Sequence, residues 1–199
     1  MKTKDEGCGL SQITKKALAA SLKNQMKAKP IDKITVTDIV EECGVGRQTF
    51  YYHFKDIYDL LEWTYLDETG RVLGDARTYE SWPDGFARVL AYLMENKAFV
   101  TSTYHSVSRE YLERFLNGVT RELLLGVLQE QNEKDGIECP EDCMEYIAEF
   151  YKYGFVGLTL DWIRDGMKRP PKEIVERLSR MLRGSFEAAM QKMSHKTRR

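Results

Sequence analysis

Apolar residues recur at three- and four-residue intervals along most of the 199-residue chain, and no segment sustains the apolar–polar alternation of a half-buried strand. The pattern predicts helices throughout. The first covers residues 11 to 28, with Ser11 as N-cap, Leu18, Leu22 and Met26 on its apolar face, and Lys29-Pro30 as its stop. A fourth is expected from Asp56 to about Arg77, carrying Leu60, Leu61, Trp63 and Tyr65. Trp82-Pro83 breaks the chain ahead of helices over residues 84 to 95 and 96 to 104. Ser106 or Ser108 then opens a long helix to about Glu130, with Leu112, Phe115, Leu116, Val119 and Leu123 turned inward. The polar loop QNEKDG ends at Gly136, Pro140 opens a helix that reaches Arg164 and stops at Gly166, and Pro170-Pro171 starts the last, from residue 172 to 193. The sum is an all-α fold of about nine helices, without repeats or low-complexity segments.

The second and third helices lie in the most informative stretch, TVTDIVEECGVGRQTFYYHF, residues 35 to 54. Val36, Ile39 and Val40 fall at helical spacing, with Thr35 or Thr37 as cap. Gly44 supplies the backbone freedom of a tight turn, and Val45 plugs the angle between the helices. From Gly46 the polar residues Arg47, Gln48, Thr49, Tyr51, Tyr52 and His53 cluster, while Phe50 and Phe54, four apart, keep one face buried. This is the pattern of a helix-turn-helix, whose second helix lies in a DNA major groove.

Charge refines that expectation. The whole chain has a formal net charge of −1, but residues 1 to 55 hold ten Lys or Arg against six Asp or Glu, which leaves the rest acidic. A basic headpiece on an acidic body favours the phosphate backbone at one end only. The basic KTRR terminus reads as a solvated tail. No apolar run approaches the roughly 18 residues of a membrane span, and the opening MKTKDEGCG lacks the apolar core of a signal peptide, so a cytoplasmic protein with no membrane partner is expected. Cys8, Cys43, Cys139 and Cys143 form no disulfide framework. Cys139 and Cys143 are four apart, but no histidine is near them in sequence, and reduced structural thiols are expected rather than a metal site.

The helix-turn-helix closely resembles that of the TetR family of bacterial transcription regulators, in Thr35, Ile39, Gly44, Val45, Thr49, Tyr51, His53 and Phe54, followed by Lys55. The resemblance covers roughly residues 10 to 62 and extends more loosely over the helical remainder. Residues 15 to 61 also resemble the dihydroxyacetone kinase regulators within that family. The resemblance implies a helix-turn-helix DNA-binding domain over residues 1 to 56 and a helical regulatory and dimerisation domain over residues 57 to 199. It implies a palindromic double-stranded DNA operator and a homodimer as well. Arg47 is placed to bond guanine O6 and N7, and Gln48 an adenine edge. Tyr51 and Tyr52 offer flat apolar surface to a thymine methyl and a hydroxyl to phosphate, while Thr35, Thr49 and His53 are phosphate ligands. Lys55 adds charge beside the start of the fourth helix, whose first amides favour an anion. One departure stands out. Many members carry a lysine two residues after the position of Lys55, and here that residue is Ile57.

The body is less explicit. Candidates to line an effector pocket are Trp63, Phe86, Tyr92, Tyr104, His105, Tyr111 and Phe150, although aromatics at helical spacing also build ordinary core. The family dimerises through its last two long helices, which puts the interface at Tyr151, Gly154, Leu158, Leu178, Met181 and Ser185; Gly154 and Gly157, within one turn, suggest a close helix approach. The leading expectation is a transcription regulator controlled by a small-molecule effector or a protein co-regulator. A second, of another class, is a helical interaction adaptor or co-regulator subunit in which DNA binding is secondary. No nucleophile–base pair, phosphate loop or metal constellation points to an enzyme, and no cofactor is expected.

Overall fold

The computed structural model describes residues 3–73, 81–106 and 109–194. Among them are ten α-helices and one 3₁₀ turn, and no strand. The chain forms two compact units, Met1–Glu68 with Asn96–Leu112, and Thr69–Glu95 with Glu113–Arg199.

The first unit begins with α1 (Thr3–Ala28), the 3₁₀ turn Ile31–Lys33, α2 (Val36–Cys43), α3 (Arg47–His53) and the first part of α4 (Ile57–Leu73). Helix α1 starts well before Ser11, which therefore sits inside it and caps nothing; no proline upstream stops a helix there. Leu18, Leu22 and Met26 are buried as their spacing predicts, against α2 and α3. Helix α6 (Lys97–Tyr104) belongs to this unit and packs on α1. Its Phe99 ring lies 5.1 Å from that of Tyr65, and the Tyr65 hydroxyl meets Thr103 Oγ1 at 3.0 Å. Chain order alone divides the molecule at residue 56; the compact unit that holds the recognition helix instead takes α4 as far as Glu68 and borrows residues 96 to 112.

The second unit contains α5 (Trp82–Glu95), most of α7 (Arg109–Asp135), α8 (Glu141–Arg164), α9 (Pro171–Leu182) and α10 (Ser185–Ser194). Pro83 falls in the first turn of α5, where a missing N–H costs nothing, so the helix begins at Trp82 instead of after the proline. Leu116, Val119, Leu123, Val127 and Leu128 make α7 a central apolar strut. Trp82 and Phe86 meet Phe155 edge-on, with centroids 5.6 and 4.9 Å apart. The single last helix expected from residue 172 to 193 is two helices, because Gly184 takes a left-handed conformation (φ 72°) between them. The expected end of the fourth helix near Arg77, Ser108 as a cap, and the basic tail lie outside the described residues.

Candidate nucleic-acid interface

Local chemistry fixes the entry to α2. Thr35 is its N-cap in a reciprocal capping box: the Asp38 amide donates to Thr35 Oγ1 at 3.2 Å and the Thr35 amide donates to Asp38 Oδ2 at 2.7 Å. The Thr35 hydroxyl donates to the same carboxylate at 2.7 Å, so its one proton is held within the cap. Lys29 closes on Asp38 at 2.8 Å, and these bonds hold the carboxyl down to about 2. On the other flank of α2, Glu42 accepts from Asn24 at 2.7 Å and Gln25 at 2.9 Å, which pins α2 to α1.

Gly44 ends α2 at φ 65°, and the Val45 amide donates back to Val40 at 3.0 Å, the turn that sets α3 against α2. Phe50 and Phe54 are buried as expected, their centroids 5.9 Å apart. Burying that face leaves the opposite one to solvent: Arg47 and Gln48 are exposed in the first turn, Tyr51 is 52 % and Tyr52 82 % exposed, and Thr49 and His53 are half-buried. Two adjacent exposed tyrosines beside exposed Arg47 and Gln48 mark this face as a candidate contact surface. Thr35, Arg47, Gln48, Thr49, Tyr51, Tyr52, His53 and Lys55 thus gather on or beside the helix-turn-helix.

Two details were not legible beforehand. The Lys15 ammonium sits 5.8 Å from the ring centres of both Phe54 and Trp63. Burial, and then the charge of Lys15, hold the His53 imidazole below its ordinary value, so His53 is neutral near pH 7 and offers one N–H. At the start of α4, Asp59 accepts from the Lys55 amide at 2.8 Å while the Asp59 amide donates to Asp56 at 2.9 Å. The Asp59 amide, in the first turn expected to favour an external anion, is thus occupied by the chain's own carboxylate, as is the Lys55 amide just before the helix. With Ile57 where many members have lysine, the Lys55 side chain carries the charge at this end.

The residues assigned to an effector pocket fall in both compact units. Trp63, Tyr104, His105 and Tyr111 lie in the first unit, and Phe86, Tyr92 and Phe150 in the second. Trp63 is half-buried with its edge toward Phe54, Tyr104 is buried, and Tyr111 stacks on Tyr58 at 6.2 Å. Phe86 and Tyr92 are core, and Phe150 is 69 % exposed. The residues assigned to dimerisation also divide. Gly154, Leu158 and Met181 are exposed, but Leu178 is buried, and Tyr151 is turned inward, its ring 4.9 Å from Phe186 and its hydroxyl 3.4 Å from the Ser185 carbonyl. Leu178 is therefore packed inside its own subunit and Tyr151 is half-buried against α10, because α8 and α9 carry apolar residues on more than one face.

A seven-residue recognition helix with one aromatic face buried and an arginine, a glutamine and two tyrosines presented on the other defines a DNA-binding transcription regulator. Residues 18–63 match the family described as bacterial regulatory proteins, tetR family, and residues 80–184 match its transcriptional regulator C-terminal region. The chain belongs to the TetR family. It is 26 % identical over 156 residues to the HTH-type dhaKLM operon transcriptional activator DhaS of Lactococcus lactis subsp. lactis (strain IL1403), spanning 78 % of this chain and 82 % of that protein. The solved structure of the dihydroxyacetone kinase operon activator DhaS superposes with a TM-score of 0.72 at 23 % identity, covering 88 % of this chain and 97 % of that one. NalD, the secondary repressor of the MexAB-OprM multidrug efflux pump in Pseudomonas aeruginosa, shares the fold at a TM-score of 0.59 and 21 % identity, over 87 % and 96 % of the two chains. No helix among the described residues is long and apolar enough to cross a membrane.

Proposed function

We propose that the chain acts as a homodimer on a two-fold operator, each subunit laying α3 in the major groove of one half-site. Arg47 and Gln48 read base edges; Tyr51 and Tyr52 cover thymine methyls and reach phosphate; Thr49, His53 and Lys55 hold the backbone. Thr35 joins them only if its hydroxyl leaves Asp38. The observation that carries this reading is the division of α3 into a buried Phe50 face and an exposed Arg47, Gln48, Tyr51 and Tyr52 face.

Dimerisation is supported by a strip along α8. Tyr146, Phe150, Tyr153 and Leu158 are 69, 69, 65 and 48 % exposed, and Gly154 and Gly157 lie between them. A Cβ at either glycine would meet nothing within 4 Å, so packing inside the chain does not require them, although each costs about 1 kcal/mol of helix stability against alanine. Two flat positions flanked by aromatics suit a second copy of the same helix. Exposed Met181 on α9 extends the apolar surface.

Operator affinity is set by a small-molecule effector or a protein co-regulator. The similarity to DhaS supports an operon of the dihydroxyacetone kinase kind as the target. The deciding experiment is fluorescence anisotropy with DNA from upstream of the chain's own gene and of neighbouring operons. Tight, salt-dependent binding to a two-fold site with half-sites one helical turn apart, about 34–36 Å, or a multiple of that, is expected. Equal affinity for all sequences would overturn it.

A further inference from the structure

A cavity of about 820 Å³ opens within the first unit, between the turn that precedes α2 and one face of α6. Its size is that of a pocket for a small organic molecule. Pro30 and Asp32 form one wall; Ala98, Thr101, Ser102 and His105, at helical spacing on α6, form the other, and most of the lining is apolar. Of the residues assigned beforehand to an effector site, His105 alone lies here.

Two features make this more than a surface crease. The first is Thr101. Thr64, Thr103 and Thr159 each turn their hydroxyl onto the carbonyl four residues earlier, at 2.7, 3.0 and 2.8 Å. Thr101 does not: its Oγ1 is sealed from solvent with no hydrogen-bond partner. An unpaired buried hydroxyl is costly, and rotation about χ1 would offer it to an acceptor in the cleft. The second is charge. Lys97 lies on the α6 wall in the first turn of that helix, at the positive end of its dipole. The facing carboxylate, Asp32, has Lys33 at 3.7 Å to offset it.

We propose that this cleft binds a small, singly anionic amphipathic molecule, its apolar body against Pro30 and Ala98 and its oxygens toward Lys97, Thr101 and Ser102. The cleft wall is continuous with the operator-binding element. Pro30 follows Lys29, which pairs with Asp38, and the turn runs directly into Thr35, the cap of α2. An occupant that prefers one arrangement of this turn changes operator affinity by that preference, and DNA changes its affinity equally. This last step rests on the effector-controlled reading above, whereas the binding step does not.

Anilinonaphthalene sulfonate, an apolar body with one sulfonate, is the probe. Titrated into the full-length chain, it should give a saturable fluorescence rise that Ala98→Trp or Ser102→Phe weakens at least about tenfold and Lys97→Gln about threefold or more. Both bulky changes are made on the cleft wall, and circular dichroism identifies whichever variant remains folded. Phe150→Glu, which places a charge in the exposed apolar strip of α8, should leave that component intact. Octanoate should displace the dye at least about tenfold better than 1-octanol. Operator affinity should shift about threefold or more with dye in the unaltered chain and not in the cleft variants. Dye binding insensitive to every folded cleft variant overturns the site, and equal displacement by octanol overturns its anionic character. Site-specific dye binding with no effect on the operator overturns the coupling alone, while failure to bind any operator overturns the regulatory reading and leaves the dye result to stand.

Discussion

Replacing Phe150 with alanine tests the assembly most sharply, because the side chain is exposed in the subunit and does little for its folding. With 69 % of the residue accessible, about two-thirds of its burial energy remains unrealised until a partner covers it. Full burial of a phenylalanine is worth about 1.5–3 kcal/mol, so covering the remainder gives about 1–2 kcal/mol per subunit. Two-fold symmetry counts the change twice, for about 2–4 kcal/mol per dimer. At 1.4 kcal/mol per decade the dimer should dissociate about 30- to 700-fold more readily. Leu178→Ala is the contrast: at 5 % exposure it should cost about 2–5 kcal/mol of folding and leave the association of folded subunits nearly unchanged. Sedimentation velocity across a dilution series reads the first quantity, and thermal melts read the second. An unaltered dimer constant for Phe150→Ala, in a protein that melts normally, would refute the assignment of the α8 strip.

Further outcomes are expected at the DNA end and in its supporting unit. Arg47→Ala should relax preference at one base pair of each half-site by about 1–3 kcal/mol, while Lys55→Ala weakens all sequences alike and lowers the salt slope by about 1, as read by anisotropy on a panel of single-base operator variants. Asp38 ionises far below the usual 3.8, so its cap stabilises the fold fully above that value and is lost as pH falls through about 2. The melting-temperature gap between the unaltered chain and Asp38→Asn should therefore hold near neutrality and close with acidification. Phe99→Ala, at a residue 1 % exposed, should cost about 3–5 kcal/mol and strip hydrogen-exchange protection from α1 to α3. Phe155→Ala should spare those amides, and equal loss in both variants would deny that α6 belongs with the headpiece.

The helix-turn-helix was legible because its signals are local. Gly44 marks the turn, Thr35 the cap, and Phe50 with Phe54 the buried side, each within a few residues of what it contacts. The body was harder for one physical reason. Helix α8 bears two apolar stripes, one with Ile147, Phe155 and Trp162 turned inward and another with Tyr146, Phe150 and Tyr153 turned outward. Periodicity finds both and cannot say which faces the chain's own core. Phe150, expected in a pocket, is exposed on α8, while of the residues expected at an interface Leu178 is buried and Tyr151 half-buried. The break at Gly184 was missed because an isolated glycine can be tolerated within a helix as well as end it. The placement of α6 beside α1, and Lys15 over Phe54 and Trp63, depend on contacts distant in sequence that no local pattern announces.

The sparse charge of the recognition surface bears on why an outward strip on α8 is needed at all. Arg47 and Lys55 are the only cations among the residues assigned to DNA, and His53 is held neutral. Arg47 and Gln48, at about 1–3 kcal/mol of discrimination for each good bidentate contact, supply about 2–6 kcal/mol per half-site. Against some 10⁶ competing genomic sites, a regulator needs about 8 kcal/mol to be found on its own operator. One headpiece falls short of that, and two acting together, at about 4–12 kcal/mol, bring it within reach. Joining them through a subunit interface turns the second half-site into an intramolecular event, whose gain depends on geometry and adds no contact to DNA. In the proposed dimer, a short recognition helix with few charges and the exposed aromatic strip on α8 answer the same requirement, and neither is sufficient without the other.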